Sequence, residues 1–316
     1  MPMNWVEEVT TRKADVILAN SKFTSRVFKH SFPSINIDPV IVYPGINTAA
    51  YHASVNLAEP DIAMVSSPRP TFLSLNRFER KKNTLLAIDA FGALPDLKST
   101  GIRLVIAGGY DPRVLDNVEC LSALLSRCTS LNLTYDIVSP RTLPPIPSAT
   151  PTKIDPHVLF VLNFSNAQRT YLLTSPATLA LLYTPQNEHF GIGPVEAMVC
   201  GVPVVACDSG GPVESVLDPG DKGGPRTGYL VPSDAGRWTE ALQKVIKLGK
   251  KEREEMGKIA RARVEQMFSL ESLTKGIEGA LEGAVALGQV ETGQAWLNLV
   301  VVCGGVGLGM YLSKYV

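Results

Sequence analysis

Residues 188–198 read Glu-His-Phe-Gly-Ile-Gly-Pro-Val-Glu-Ala-Met and follow an apolar run at residues 179–184. The apolar run predicts a buried strand, and Pro194 suits the first position of a helix, where its fixed φ fits and no amide hydrogen is needed. Gly191 and Gly193 let the backbone approach a ligand closely. Because the free amides and the dipole of a first helical turn favour an anion, this strand–loop–helix unit predicts a diphosphate site.

Two glutamates, Glu188 and Glu196, stand eight positions apart on either side of this turn. Glu188 is expected in the loop and Glu196 about one turn into the helix, so both carboxylates reach one pocket. Carboxylates accept hydrogen bonds from hydroxyl groups, as a sugar and a ribose would offer. The stretch therefore predicts a nucleotide-sugar site. The alternative is that Glu196 only complements the helix dipole and that Glu188 is a solvated loop residue.

The next segment, residues 201–215, repeats the pattern of a buried strand, a glycine turn and a helix. Its turn, Ser209-Gly-Gly-Pro212, would lie beside the first turn at one edge of a parallel sheet. Open α/β sheets bind ligands at that edge. The two adjacent glycine turns favour a binding site over the alternative that Glu188 and Glu196 have no ligand.

Cationic residues cluster in residues 75–83, Leu-Asn-Arg-Phe-Glu-Arg-Lys-Lys-Asn. Arg77 and Lys82 follow a predicted strand, and a fixed cationic pair can stabilise a departing diphosphate without a divalent metal. The alternative is an ordinary solvated helix start, although cations there oppose the helix dipole. Arg80 and Lys81 are predicted to be surface residues. In the glutamate loop, His189 either touches the ligand or only fills the turn.

Together these residues resemble the donor half of the retaining GT-B glycosyltransferases of family four. The resemblance rests on Glu188 and Glu196 with seven residues between them, on residues 209–214, and on Arg77 with Lys82. Within this family, residues 76–83 and 187–191 are most similar to the mannosyltransferases of the dolichol pathway. Gly193 is a small departure, since a bulkier apolar residue is expected there.

The resemblance implies an enzyme, a mannosyltransferase that works without a metal or another cofactor. It implies transfer of mannose from GDP-mannose to a dolichyl-diphosphate-linked oligosaccharide, adding the second and third mannoses, α-1,3 and then α-1,6, of the N-glycan precursor. Other mannosyltransferases of that pathway are implied partners. The implied catalytic residues are Arg77, Lys82 and Glu188, and the implied donor-binding residues are Gly191, Ile192, Gly193 and Glu196.

Two other functions stay open. One is a related glycosyltransferase with another donor, because the loops do not reveal which base is bound. The other is a non-catalytic, membrane-tethered remnant that only binds a nucleotide sugar.

The predicted architecture is α/β, of the GT-B type. Strands and helices alternate in residues 69–290, which predicts one complete Rossmann-like donor domain with a parallel sheet. Residues 1–45 are expected to be a remnant of the acceptor-binding domain, with Ser21 capping a helix. Residues 46–68 form the expected linker, and residues 291–316 an apolar C-terminal helix.

Residues 295–312 are apolar except for Asn298, which approaches the length needed to cross a bilayer. A buried C-terminal helix is the alternative, but the many glycines suit a membrane helix better. Basic residues before this run, at 244–263, favour a cytosolic catalytic part, and the resemblance implies the endoplasmic reticulum membrane. These basic residues either lie on the membrane surface or form a solvated helix face.

Charge and cysteine content limit the other functions. The formal net charge is zero, so nothing indicates a nucleic-acid partner. The five cysteines lack metal-binding spacing and are predicted to be free thiols in a reducing compartment. The first eleven residues do not have the pattern of a signal peptide.

Overall fold

The structure is a computed structural model that describes residues 2–52, 55–95, 97–140, 142–143 and 155–288. The predicted anchor, residues 291–316, lies outside the described residues, as does most of a proline-rich segment near residue 147. Within the described ranges, no helix combines the length and the apolar character needed to cross a bilayer.

Strands and helices alternate through most of the described chain. The strands are β1 (Leu18–Ala19), β2 (Val40–Ile41), β3 (Thr71–Leu75), β4 (Arg103–Gly108), β5 (Tyr135–Val138), β6 (Val158–Leu162), β7 (Thr178–Tyr183), β8 (Val204–Cys207) and β9 (Gly228–Val231). The helices are α1 (Pro2–Thr11), α2 (Lys22–Ser31), α3 (Pro60–Ala63), α4 (Leu85–Gly92), α5 (Leu97–Thr100), α6 (Leu115–Ser130), α7 (Asn166–Thr174), α8 (Ile192–Val199), α9 (Pro212–Ser215), α10 (Ala235–Lys247), α11 (Lys250–Met267) and α12 (Leu270–Ala286).

Seven strands form one sheet in the order β5-β6-β4-β3-β7-β8-β9, and every neighbouring pair is parallel. The predicted α/β class with a parallel sheet is therefore confirmed. Because all seven strands run the same way, their carboxyl ends meet at one edge. The loops after β3, β7 and β8, which carry the predicted site residues, begin at that edge.

Both faces of the sheet are covered by apolar side chains. On β3, Phe72 belongs to one buried cluster and Leu73 to the other, as expected for successive residues of a strand. Trp238 of α10 is fully buried in the first cluster, and Phe268 is fully buried in the second. This double burial explains why the strands read as continuous apolar runs in the sequence.

A smaller unit precedes the sheet. β1 and β2 pair in parallel over two residues each. Ser21 caps α2 as predicted, since its hydroxyl accepts from the amide of Thr24 at 2.9 Å. The following segment reaches α12, where Ile46 bridges to Ser269.

Candidate functional site

A cavity of about 290 Å³ lies at the carboxyl edge of the sheet, between β3, β7 and α8. Most of the predicted site residues contribute to its wall. It is lined by Leu75, Asn76, Arg77, Glu79, Lys81, Lys82, Tyr183, Ile192, Gly193 and Glu196. The fold thus brings together residues that are far apart in the chain.

The glycine turn before α8 lies against the ring of Tyr183. Gly191 has φ 85°, and a Cβ there would lie 3.0 Å from the Tyr183 ring. A Cβ on Gly193 would lie 3.4 Å from the same ring, so both glycines allow this close approach. Pro194 is the third residue of the helix, which begins at Ile192, and not the first as predicted. An amide at the third position would also have no intrahelical acceptor, so the helix tolerates proline there.

Glu188 is held by a cation and a tyrosine. Its Oε2 forms an ion pair with Nζ of Lys82 and accepts from the hydroxyl of Tyr183 at 3.1 Å. Both members of the pair are mostly buried, with 16% of the Lys82 and 26% of the Glu188 side chain exposed. Burial, followed by the charge of Glu188, raises the pKa of Tyr183, which therefore remains a hydroxyl donor at neutral pH.

Glu196 is held in a similar way from the other side. Its Oε1 accepts from the hydroxyl of Tyr51 at 2.5 Å and from Nη1 of Arg169 at 2.9 Å. Tyr51 ends a 3-10 turn at Thr48–Tyr51, and Arg169 lies on α7. Burial and the bond to Glu196 raise the pKa of Tyr51, so this side chain is also a hydroxyl donor.

Arg77 is the most accessible cation of the predicted site. Its side chain is 75% exposed, and Nη1 lies 3.8 Å from Oε1 of Glu79. Lys81, which was predicted to be a surface residue, is exposed but also contacts Glu79 at 3.1 Å and lines the cavity. Arg80 is paired with Asp116 and Glu119, as a surface residue would be. The cavity therefore has three cationic side chains in its wall: Arg77, Lys81 and Lys82.

The second glycine turn braces the glutamate loop and does not line the cavity. Gly211 donates its amide to the carbonyl of Glu188 at 2.7 Å, and Asn187 donates to Oγ of Ser209 at 3.1 Å. A Cβ on Gly210 would lie 2.4 Å from the carbonyl oxygen of Glu188. These glycines allow two backbone segments to touch, so the two glycine turns lie side by side at the sheet edge, as predicted.

His189 contacts helix α2. Its Nδ1 lies 3.0 Å from Oγ1 of Thr24, and its ring meets the ring of Phe23 edge-on at 6.0 Å between centroids. Its carbonyl accepts from the hydroxyl of Ser21. His189 therefore joins the glutamate loop to the smaller N-terminal unit, a role that neither sequence interpretation included.

Glu214 strengthens the same junction. Its carboxylate accepts from the amides of Lys22 and Phe23, both at 2.8 Å, and from the hydroxyl of Tyr43 at 3.0 Å. The two amides open helix α2, where a negative charge is favourable. Burial, followed by the bond to Glu214, raises the pKa of Tyr43 to about 12.

Three residues around the carboxylates were not identified from the sequence: Tyr51, Arg169 and Tyr183. Tyr183 lies near the end of the apolar run before the motif, so its position next to the loop was a usable signal. Tyr51 is 145 residues away from Glu196 and Arg169 is 27 residues away. Neither stands in a local pattern, because the contact depends on how three separate elements pack.

Comparisons with known proteins identify a matching family model and similar curated proteins. The family model described as "Glycosyl transferases group 1" matches residues 147–263. Over 313 residues the chain is 39% identical to the α-1,3/1,6-mannosyltransferase ALG2 of Rhizomucor pusillus, covering 97% of this chain and 65% of the relative. It is 37% identical to the human protein of the same name, covering 87% of this chain and 60% of the relative. The chain thus spans less than two thirds of the length of these relatives.

Solved structures show a similar fold at lower identity. The sucrose-phosphate synthase of Thermosynechococcus elongatus has a TM-score of 0.68 and 21% identity, covering 90% of this chain and 62% of that one. Anabaena HepE in complex with UDP-glucose has a TM-score of 0.64 and 18% identity, covering 89% and 67%. At such identities the likeness concerns the fold alone.

Proposed function

Since the chain belongs to the α-1,3/1,6-mannosyltransferase family of the group 1 glycosyltransferases, we propose that its cavity binds GDP-mannose. The mannose would be transferred from this donor to a dolichol-linked oligosaccharide. The product would carry the second and third mannoses of the N-glycan precursor, linked α-1,3 and α-1,6. The names of the relatives support the linkage, and the geometry of the cavity supports the donor class.

The observation that carries the proposal is that the two carboxylates are held in the same way. Glu188 and Glu196 are each held through one oxygen by a cation and a tyrosine hydroxyl. The second oxygen of each has no hydrogen-bond partner among the described residues. Two acceptors of fixed position beside a cavity suit the hydroxyl groups of a sugar and a ribose.

The phosphates would lie where positive charge and free amides meet. Helix α8 begins at Ile192 beside the cavity, and the amides of its first turn have no intrahelical acceptor. Arg77 and Lys82 approach the same space from the end of β3. In transfer, the bond between the anomeric carbon and the diphosphate breaks and charge develops on the leaving GDP. Fixed cations stabilise that charge more than the charge of the bound donor.

We propose no cofactor, because these cations can take the part that a divalent metal has in other transferases. Adding EDTA should leave the affinity for GDP-mannose unchanged. A strict dependence on a divalent cation would contradict this mechanism.

The location and the partners are also part of the proposal. The sequence favours an anchor at residues 291–316 and a catalytic part on the cytosolic face of the endoplasmic reticulum membrane. The lipid-linked acceptor, and other mannosyltransferases that act on the same lipid, would be met at that membrane.

Calorimetric titration of the 316-residue chain with GDP-mannose tests the donor. UDP-glucose serves as the competing nucleotide sugar. Tighter binding of GDP-mannose supports the proposal, whereas tighter binding of UDP-glucose would favour a related transferase with another donor. A transfer assay with lipid-linked acceptor then separates an enzyme from a chain that only binds the nucleotide sugar.

A further inference from the structure

Glu196 is fixed by two residues that come from separate parts of the chain. Tyr51 lies in the segment before β3, Arg169 lies on α7, and both bond to Oε1 of Glu196 on α8. The Tyr51 residue is only 8% exposed, and 12% of the Glu196 side chain is exposed. The guanidinium of Arg169 also lies over the Tyr51 ring, 5.7 Å from its centroid. The three side chains therefore form one compact group.

Tyr51 and Arg169 contact the Glu196 carboxylate on the side away from the cavity. Glu196 lines the cavity, whereas neither Tyr51 nor Arg169 does. Because both donors use Oε1, the rotation of the carboxylate is set and Oε2 is left without a hydrogen-bond partner among the described residues. A carboxylate oxygen presented in this way can accept from two hydroxyl groups.

The position of Arg169 has a cost that helix packing does not explain. Its Nε is buried and has no hydrogen-bond partner within the described residues. A buried donor without a partner is unfavourable, and such exceptions in a folded protein ask for a reason. The contact of the same guanidinium with Glu196 and Tyr51 supplies one.

We propose that Arg169 and Tyr51 are positioning residues that aim Glu196 at the ribose hydroxyls of the donor, without touching the donor themselves. This inference rests on the proposed function, because it needs a nucleotide in the cavity. It adds residues that act through another side chain, at a distance from the ligand.

The same arrangement recurs at Glu188, where Oε2 accepts hydrogen bonds from the ammonium group of Lys82 and from the hydroxyl of Tyr183. There, however, the cation lines the cavity and is proposed to reach the phosphates. Arg169 has no such second task. Its removal should therefore change the recognition of hydroxyl groups and leave the recognition of phosphate intact.

The test compares GDP with 2′,3′-dideoxy-GDP in calorimetric titrations of the parent chain and of Arg169→Gln. The parent should bind GDP roughly tenfold more tightly than the dideoxy analogue, as expected for the loss of charge-assisted hydrogen bonds. In Arg169→Gln this difference should shrink to about twofold or less, and the affinity for the dideoxy analogue should match that of the parent. Arg169→Lys, which keeps a cation, should restore part of the difference.

Two further variants are measured, one as a second test of the positioning roles and one as a control. Tyr51→Phe keeps the ring and removes only the hydroxyl, so it should shrink the difference even if Arg169→Gln does not fold. Arg237→Gln, on the exposed face of α10, is the matched control and should behave as the parent. A parent chain that binds neither GDP nor GDP-mannose would refute the proposed function. If the parent prefers GDP to its dideoxy analogue, and Arg169→Gln and Tyr51→Phe show the same preference, only the positioning roles are overturned. A parent chain that binds GDP and the dideoxy analogue equally well would also overturn the positioning roles.

Discussion

The ammonium group of Lys82 is paired with the carboxylate of Glu188, although 106 residues separate them in the chain. The pair joins the end of β3 to the loop after β7, across two neighbouring strands of the sheet. An ammonium group has three donors, so Lys82 can keep Glu188 and still donate to a phosphate. The pair therefore links the proposed sugar contact to the proposed phosphate contact before any ligand is bound.

The first prediction concerns the two cations. Lys82→Met should weaken GDP binding more than Arg77→Met. It removes a cation and also leaves the mostly buried Glu188 uncompensated beside a diphosphate, at a cost of about 1.5–3 kcal/mol or more. The Arg77 side chain is 75% exposed, so water and salt screen its contribution. Calorimetry with GDP measures both, and Lys258→Met on α11 is the control. Equal losses for the two variants would show that the Lys82–Glu188 pair has no special part.

The second prediction concerns Glu196. In Glu196→Gln the amide oxygen should face Tyr51 and Arg169, because both are donors, and the NH₂ group would then face the cavity. The acceptor for a ligand hydroxyl would become a donor. The binding free energy for GDP-mannose should become less favourable by about 1.5–3 kcal/mol, and the fold should be retained. Glu240→Gln on α10 is the matched control, and an affinity equal to that of the parent in Glu196→Gln would remove Glu196 from the site.

Three of the predicted charged residues, Arg77, Lys82 and Glu196, line the cavity, and Glu188 is paired with Lys82 beside it. Arg77, Lys82, Glu188 and Glu196 each come after an apolar run, and parallel strands present their carboxyl ends at one edge. The prediction needed only local patterns and that rule. The tyrosine and arginine partners of the carboxylates needed the packing of α7, α8 and the segment before β3, which no local pattern contains.

The elements that were missed are those with weak patterns. Strand β5, Tyr135–Val138, lies at the edge of the sheet with every residue only partly buried and carries Asp136 in its middle. It therefore lacks the continuous apolar run of the central strands. Helix α1, Pro2–Thr11, is half polar, and from the sequence these residues were predicted only to lack the pattern of a signal peptide. The second glycine turn lies beside the first as predicted, and its glycines also allow contact between two backbone segments. The sequence pattern does not separate that need for glycine from ligand approach.

A third prediction tests the junction between the small unit and the donor loop. Glu214→Ala removes a carboxylate that accepts from Lys22, Phe23 and Tyr43. The free energy of unfolding should fall by about 1.5–3 kcal/mol, because charge-assisted bonds at a helix start are lost. Urea denaturation measures the change, with Glu254→Ala, exposed on α11, as control. A midpoint unchanged from that of the parent would mean that the junction does not stabilise the fold.

A fourth prediction addresses the membrane. Deleting residues 291–316 should move the chain from the microsomal pellet to the supernatant, because the apolar run near spanning length is removed. Deleting only residues 313–316 should leave it in the pellet. If the longer deletion still sediments and resists alkaline carbonate, the anchor lies elsewhere, for example in the basic residues of α10 and α11.

The last prediction concerns the buried thiols and alkaline pH. Burial raises the pKa of Cys128 from 9.0 to about 12 and that of Cys207 from 9.0 to about 11. In the native chain at pH 8, iodoacetamide should label both far more slowly than in the denatured chain, because the thiolate is the reactive form. Mass spectrometry of the labelled peptides measures the two rates.

The same shifts fix the direction of the pH dependence. Below pH 9 both thiols are protonated in the folded and in the unfolded chain, so they contribute no slope. Above pH 9 the unfolded chain releases these protons while the folded chain keeps them until about pH 11 for Cys207 and pH 12 for Cys128. The unfolded state then binds fewer protons, so the free energy of unfolding falls by about 1.4 kcal/mol per pH unit for each thiol. Urea denaturation between pH 8 and pH 11 should show this decline, and Cys128→Ala should make it shallower. A stability that stays constant over that range would contradict the burial of these thiols.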